Sequence, residues 1–276
     1  MDAKRRNGPI YMLAASVCWS FGGLFLKFIP WHAMSIVSLR AVFAALVFVI
    51  FRRSAAIRFT KGNVLTALCL SATTMLFVYA NKMTTAAAAI LLQFTAPIFI
   101  IVLQFILFKT KPRAREITAV ALTVFGMMMF FADQLDQGSV LGNIFAIGSG
   151  LAFAGVFIGN KLEDTDPEQA LFLGFLINAA AGAPFVFSGI NADPLAWGSI
   201  VFLGIIQVGL AYVFFSVGIK RTPALLASLI TALEPTLNPV WVALFAGETP
   251  GPFAIAGGAV IIITVVGYNI LETRRE

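Results

Sequence analysis

Charged residues are scarce in this chain. Aspartate, glutamate, lysine and arginine make up 12% of its 276 residues, whereas soluble proteins contain about 25%. Apolar residues make up 59% and are spread over the whole length, so a cleaved leader does not account for them. This composition excludes an ordinary soluble domain and predicts a polytopic, all-helical integral membrane protein.

Histidine and cysteine are nearly absent. With His32 as the single histidine, the usual histidine-based metal sites are excluded, and we predict neither a metal nor a cofactor. Cys18 and Cys69 lie in apolar segments, where packing is a better interpretation than a disulfide. The spans also lack a serine–histidine pair, paired aspartates and an HExxH motif, which argues against an intramembrane enzyme.

Ten apolar stretches of helix length follow one another, separated by short polar or Pro/Gly-containing breaks. Each can cross about 30 Å of hydrocarbon at about 1.5 Å per residue. The first follows a basic start, "MDAKRRN", has no small-residue cleavage site and is predicted to be a transmembrane helix. The ten segments are 9–28, 33–51, 63–80, 85–108, 116–132, 140–160, 168–188, 195–218, 223–246 and 251–271.

The basic residues separate between the two sides of this ten-helix arrangement. With cytoplasmic termini, 16 of the 19 lysines and arginines fall in the termini and the even-numbered loops, as the positive-inside rule requires. The exceptions are Lys27, Lys82 and Arg40. We therefore predict cytoplasmic N- and C-termini in a plasma (bacterial inner) membrane. The net charge of +6 is interpreted as loop charge and not as a nucleic-acid surface.

The two halves of the chain resemble each other at a shift of 138 residues. Residues 82–97, "KMTTAAAAILLQFTAP", align without a gap with residues 220–235, "KRTPALLASLITALEP". The alignment places Pro97 over Pro235, and each proline removes a backbone hydrogen bond within a spanning helix. Equivalent helix breaks of this kind are typical of transporters built from inverted repeats, whose site lies near mid-membrane between the repeats.

The shift divides the chain into two repeats of five helices, 1–138 and 139–276. Because five is odd, the second repeat is predicted to be inverted relative to the first. The fold class predicted is therefore ten transmembrane helices in two inverted five-helix repeats.

Several stretches together carry a resemblance to a known family. They are "AASVCWSFGGLFLKF", "LRAVFAAL", "TTAAAAILLQFTAPIFIIVLQFIL" and "TPALLASLITALEPTLNPVWVALFAGETP", and they resemble the EamA family of the drug/metabolite transporter superfamily over the whole chain. The resemblance implies ten helices and alternating access around a central cavity. It also implies small metabolites, amino acids or drugs as substrates, usually moved outward.

Two features depart from the family pattern. The first copy has "LFKTKP" where the family usually repeats the Gly-Glu that follows the ninth helix. The first helix contains no acidic residue, so the proton-coupling glutamate of the related small multidrug transporters has no counterpart there.

Two charged residues within the spans are candidate substrate-binding residues. Arg40 could anchor a substrate carboxylate, or it could bind helix-end carbonyls or extend to the outer interface. Glu234 could carry a proton or pair with a cationic substrate group, or it could hold the backbone groups freed by Pro235. On a continuous helix Thr231, Glu234 and Asn238 share one stripe, which predicts that all three border a cavity.

The remaining candidates are uncharged. Gln93 aligns with Thr231, so both repeats place a hydrogen-bonding side chain one turn before the proline. Trp19 aligns with Phe153 at a shift of 134 residues, and aromatic side chains in a cavity bind apolar groups or cations. For all of them ordinary packing is the alternative interpretation. The uncharged candidates are Trp19, Phe77, Gln93, Phe153, Gln207 and Tyr212.

The sequence predicts a secondary transporter that exports small metabolites such as amino acids or amphipathic drug-like compounds. Its expected partners are the lipid bilayer and a small-molecule substrate, with a proton as a candidate coupling ion. A monomer is compatible with the sequence, which leaves the oligomeric state open.

One alternative is uptake or exchange of a nucleobase- or nucleotide-sugar-like substrate, although phosphorylated ligands need several basic residues and only Arg40 is suitably placed. A non-transporting structural or receptor membrane protein is the alternative from another class.

Overall fold

The structure is a computed structural model that describes residues 7–22, 25, 28–132, 139–186, 190–237 and 251–273. Within these ranges the chain forms helices and their connections, with no strand. Seven helices there are long and apolar enough to cross a membrane, and two further apolar helices are shorter. The all-helical membrane class is confirmed, and the count of ten spans stays a prediction.

Helices occupy all five segments predicted for the first half. Hydroxyl caps define two of their starts: the Thr60 side chain accepts from the Asn63 backbone N–H, and the Thr85 side chain accepts from that of Ala88, as at typical helix N-termini. The helices are α1 (Gly8–Trp19), α2 (Ala33–Arg52), α3 (Lys61–Met83), α4 (Ala86–Gln93), α5 (Ala96–Phe108) and α6 (Ala114–Phe130).

The second half also has helix in each predicted segment. Its eighth span, Pro194–Ile219, contains a π-helical stretch, Leu203–Leu210, which no sequence pattern predicted. Only Ala224–Leu237 of the ninth span is described. The helices are α7 (Val140–Gly159), α8 (Pro167–Val186), α9 (Pro194–Phe202), the π-helical stretch, α10 (Ala211–Ile219), α11 (Ala224–Thr231) and α12 (Pro252–Thr273).

The fourth and ninth spans are both interrupted, and at equivalent positions. α4 ends at Gln93 and α11 ends at Thr231, each four residues before a proline, Pro97 or Pro235. A proline has no N–H for the carbonyl four residues earlier, and its ring clashes with that carbonyl. The prolines therefore explain why each helix stops where it does.

Helices of the two halves interleave. α3 packs mainly against α7, and α2 packs mainly against α8. Glycine permits close approach between these helices, because a Cβ at Gly155 of α7 would lie 2.6 Å from the Cys69 Sγ atom of α3. Gly150 allows α7 to pack against the interrupted span in the same way, since a Cβ there would lie 2.8 Å from the Gln93 carbonyl oxygen. The core thus lies between the halves.

The loop after α7 is tied to the loop after α10 by Lys161. Its ammonium group donates to the carbonyl oxygens of Ile219 and Thr222, the latter at 2.6 Å. Both acceptors lie at the C-terminal end of α10, where a cation is favoured by the helix dipole. Burial lowers the pKa of Lys161 from its ordinary value of 10.5 to about 8, because desolvation disfavours the charged amine.

Candidate substrate cavity

A cavity of about 110 Å³ lies between the two halves. Eight of the ten binding residues predicted from the sequence line it. Its apolar lining consists of Trp19, Val37, Ala41, Phe77, Phe153, Phe175 and Val208. Its polar lining consists of Arg40, Thr73, Thr74, Gln93, Asn178, Gln207, Tyr212 and Glu234.

The lining is built from equivalent positions of the two repeats. The shift of 138 residues that aligns the prolines also aligns three pairs of lining residues, and the shift of 134 aligns one more. The cavity therefore lies where equivalent surfaces of the two halves meet. The pairs are Val37 with Phe175, Arg40 with Asn178, Thr74 with Tyr212, and Trp19 with Phe153.

The two ionisable lining residues, Arg40 and Glu234, form no ion pair with any residue that the structure describes. Arg40 makes one contact, from Nη1 to Gln207 Oε1 at the outer hydrogen-bond limit of 3.5 Å, and its buried Nε is unpaired. Every ion pair among the described residues involves Arg115 or Lys220, so Glu234 forms none there. A charge placed within a membrane protein normally faces a partner or a water-filled cavity. Both charges are thus available to a ligand.

The π-helical stretch positions Gln207 beside Arg40. It packs closely on α2, where a Cβ at Gly204 would lie 2.5 Å from Phe43 and one at Gly209 would lie 2.9 Å from Val47. π-Helical turns are often found at functional sites. Gln207 lies within this stretch, and its Nε2 is 3.5 Å from the Trp19 carbonyl oxygen, so its side chain bridges α1 and α2.

Aromatic rings form the apolar wall. Trp19 lies at the end of α1, with its ring centroid 5.0 Å from that of Tyr212 and 6.4 Å from that of Phe153. Tyr212 in turn packs edge-on against Phe175 at 5.5 Å. Offset and edge-to-face pairs of this kind add about 0.5–1.5 kcal/mol each beyond area burial, so the wall is a packed structure.

Two predicted residues are not found in the lining. Thr231 is fully buried and donates from Oγ1 to the Ser228 carbonyl oxygen at 2.7 Å. The common stripe of Thr231 and Glu234 was predicted for a continuous helix, but the helix is interrupted at Ala232, so the two side chains no longer share a face. Asn238 lies outside the described residues.

Thr73, Thr74, Phe175 and Asn178 line the cavity but were not singled out from the sequence. Phe175 and Asn178 lie in an apolar helix, α8, without a polar stripe, so periodicity gives no signal for them. For Asn178 a signal existed, because the repeat shift places it opposite Arg40. Within the part of the chain that the structure describes, no group of three histidine, cysteine or acidic residues could hold a metal ion.

Comparisons with known proteins agree with this architecture. The model of the EamA-like transporter family matches residues 6–132 and again residues 140–270, which confirms the two-repeat organisation, whereas the boundary at 138/139 stays a prediction. The uncharacterized transporter YwfM of Bacillus subtilis (strain 168) is 26% identical over 77% of this chain and 74% of its own. The biotin transporter of Escherichia coli (strain K12) is 25% identical over 92% of this chain and 90% of its own.

A solved crystal structure has the same fold. It superposes with a TM-score of 0.83 at 18% sequence identity and covers 98% of this chain and 99% of its own. At this identity the likeness concerns the fold alone.

Proposed function

The chain belongs to the EamA-like transporter family, and we propose that it is a secondary transporter that exports small metabolites such as amino acids or small amphipathic compounds. It is a multi-pass membrane protein, and transport takes place by alternating access around the cavity between the two repeats. Its repeats and interrupted helices are features that transporters of this kind use to expose a central site to either side in turn.

The observation that carries the proposal is a basic and an acidic side chain in one cavity, each without an ion-pair partner among the described residues. Arg40 and Glu234 both line it, and no ion pair joins them. A carboxylate on the substrate can pair with the guanidinium, and an ammonium group can pair with Glu234. A zwitterion satisfies both at once and leaves the occupied cavity electrically neutral.

The size of the cavity favours compact substrates. Its volume of about 110 Å³ is well below the roughly 300–1,000 Å³ of pockets that hold drug-sized ligands. A nucleotide-sugar is disfavoured on the same ground, and also because Arg40 is the one basic residue among the described residues of the lining.

Direction and coupling form the finer part of the proposal. We place the termini in the cytoplasm of a bacterial cell, in its inner membrane, because the basic residues segregate to that side. Outward transport is expected from the family resemblance. A proton bound by Glu234 is the proposed counter-ion, because Glu234 is the acidic residue of the lining.

Flux through purified protein tests the proposal. The full-length chain is reconstituted in liposomes, and uptake and counterflow of labelled amino acids, nucleobases and biotin are measured with and without a pH gradient. Biotin belongs in the panel because one relative is named a biotin transporter. Saturable flux of a compact zwitterion, absent from protein-free liposomes, is the expected result. Absence of flux for the whole panel in both directions overturns the proposal.

A further inference from the structure

The Asn178 side chain is held in one orientation at the cavity wall. Asn178 is 2% exposed and lines the cavity. The Ser71 hydroxyl of α3 donates to its Oδ1 at 2.8 Å. The amide oxygen is the atom that faces Ser71; it can only accept, so the hydroxyl donates and Nδ2 is left as a free donor. Among the described residues this amino group has no acceptor.

The Gln93 side chain is held the other way round, with its amide nitrogen bound to a serine and its amide oxygen left free. Its Nε2 donates to Ser149 Oγ at 2.8 Å, and Ser149 Oγ donates its own proton to the Thr73 carbonyl oxygen at 3.0 Å. Since that proton is committed to Thr73, Ser149 accepts from Gln93, and the amide nitrogen must face it. This fixes Gln93 Oε1 as an acceptor, and no donor in the described ranges reaches it.

Both amides are anchored through the same stretch of α3. Ser71 orients Asn178 directly, and the Thr73 carbonyl oxygen orients Gln93 through Ser149. The cavity therefore presents one fixed neutral donor and one fixed neutral acceptor. Both residues line the cavity, and an amide that a ligand covers without offering a partner is costly, so these two are suited to a ligand that supplies the complementary pair.

We propose that Asn178 and Gln93 form an amide subsite that recognises a planar group bearing both a C=O acceptor and an N–H donor, such as a carboxamide, a ureido group or the lactam edge of a nucleobase. This inference rests on the proposed function, since it places the subsite within the transport cavity. The inference narrows the substrate class: besides a charged group that pairs with Arg40 or Glu234, the substrate must carry such an amide-like group.

The repeat explains why charged and neutral sites share one cavity. Asn178 is the equivalent of Arg40 at the 138-residue shift, so the two halves place two donors at matching positions, one charged and one neutral. The substrate expected to fit has a charged end that pairs with Arg40 and an amide end that pairs with Asn178.

The subsite also predicts which molecules are rejected. An alkyl group of the same shape leaves both amides unpaired. A carboxylate in place of the carboxamide directs an oxygen at Gln93 Oε1, which cannot donate. Sites built to hydrogen-bond a polar group reject analogues that lack it far more strongly than apolar pockets reject a misfit.

Binding to the purified full-length protein, separate from flux, tests the subsite. The probes are L-asparagine, L-leucine and L-aspartate, which share one zwitterionic head and differ in the side-chain terminus, together with uracil and 1,3-dimethyluracil, which has no N–H donor. The probe affinities are derived from thermal shifts in detergent. We expect asparagine to bind at least about tenfold more tightly than leucine and aspartate. If the group recognised is a lactam edge, uracil binds at least about tenfold more tightly than 1,3-dimethyluracil instead.

Two variants locate the effect. Asn178→Asp removes the donor without changing the shape and abolishes the preference for the amide probe, whereas Asn160→Asp, at an asparagine outside the cavity lining, retains it. Ser71→Ala keeps the Asn178 amide but frees its orientation, and therefore reduces the preference partly. Equal binding of amide and alkyl probes, or an unchanged preference in Asn178→Asp, overturns the inference.

The two proposals can fail separately. Selective binding of an amide probe without any flux supports the subsite and contradicts transport. Flux of a substrate that lacks an amide-like group, with no binding of asparagine or uracil, supports transport and overturns the subsite.

Discussion

Trp19 and Phe153 meet edge to face, with their ring centroids 6.4 Å apart and their planes at 73°. They are equivalent residues of the two repeats, one at the end of α1 and the other within α7. Both line the cavity. A contact between equivalent residues lies near the axis that relates two repeats, so the cavity lies near that axis. Under the proposed alternating access, this position would expose one set of lining residues to both sides.

Replacing Glu234 by glutamine is expected to abolish the pH dependence of transport. The amide preserves the shape of the side chain but cannot exchange a proton, so a proton gradient no longer drives flux. Flux in liposomes at several imposed pH gradients measures the effect. Glu163→Gln, at an exposed loop position, makes the same chemical change outside the cavity and should behave as the unmodified protein does. Retained pH dependence in Glu234→Gln would leave this carboxylate a structural role only.

Replacing Arg40 by glutamine is expected to weaken the binding of carboxylate substrates. A hydrogen bond to a charged group contributes about 1.5–3 kcal/mol, which corresponds to a rise in KM of roughly tenfold to a hundredfold. The matching methyl esters or amides, which carry no negative charge, should lose much less. Arg58→Gln, at an exposed position, is the control. An equal loss for charged and uncharged substrates would show that Arg40 only supports the fold.

Replacing Gly150 by alanine is expected to destabilise the protein. The new Cβ would lie 2.8 Å from the Gln93 carbonyl oxygen and 3.2 Å from that of Leu92, where backbone cannot move aside cheaply. Overpacking of this kind costs about 1–3 kcal/mol. Thermal unfolding in detergent measures the change. Gly198→Ala is the matched control, since no atom lies within 4 Å of its Cβ; it should be neutral or slightly stabilising. Equal melting temperatures for the two variants would contradict the close packing.

Lys161 is expected to make stability rise with pH between about 8 and 10.5. Its pKa is about 8 in the folded protein and 10.5 ordinarily, so over this window the unfolded chain binds more protons. Stability therefore increases with pH, by at most about 1.4 kcal/mol per pH unit for one proton. Below pH 8 both states are protonated and the contribution is constant.

Thermal unfolding of the unmodified protein and of Lys161→Met over pH 7 to 10 measures this contribution as a difference in slope. The Lys220→Met variant is the control, because Lys220 lies in an exposed pair with Glu168. Parallel pH profiles for the unmodified protein and Lys161→Met would contradict a titration of Lys161 in this range.

Local patterns in the sequence were sufficient for much of this architecture. Runs of apolar residues predicted where helices occur, because only a helix satisfies its own backbone in lipid. The internal repeat placed Pro97 opposite Pro235, and the helix ends at Gln93 and Thr231 follow from what a proline does to the residue four positions earlier.

Other features depend on tertiary packing and left no local signal. The π-helical stretch Leu203–Leu210 consists of ordinary apolar residues apart from Gln207, and its close fit against α2 is seen only when both helices are present. Thr231 was placed on the stripe of Glu234 by assuming a continuous helix, whereas the interruption between them turns its hydroxyl to Ser228. Asn178 is the equivalent of Arg40 in the repeat, but that both residues line one cavity is seen only in the structure.

The paired interruptions of the fourth and ninth spans also bear on how such a protein can diversify. Each requires one proline, and that proline is present in both copies. The acidic group next to it is not duplicated: Glu234 adjoins Pro235, and Ala96 adjoins Pro97. Point substitutions in one copy can therefore change which ligand is recognised, while the helix interruptions before the two prolines are left intact. The shared prolines maintain the interruption in both copies, and specificity can change one side chain at a time.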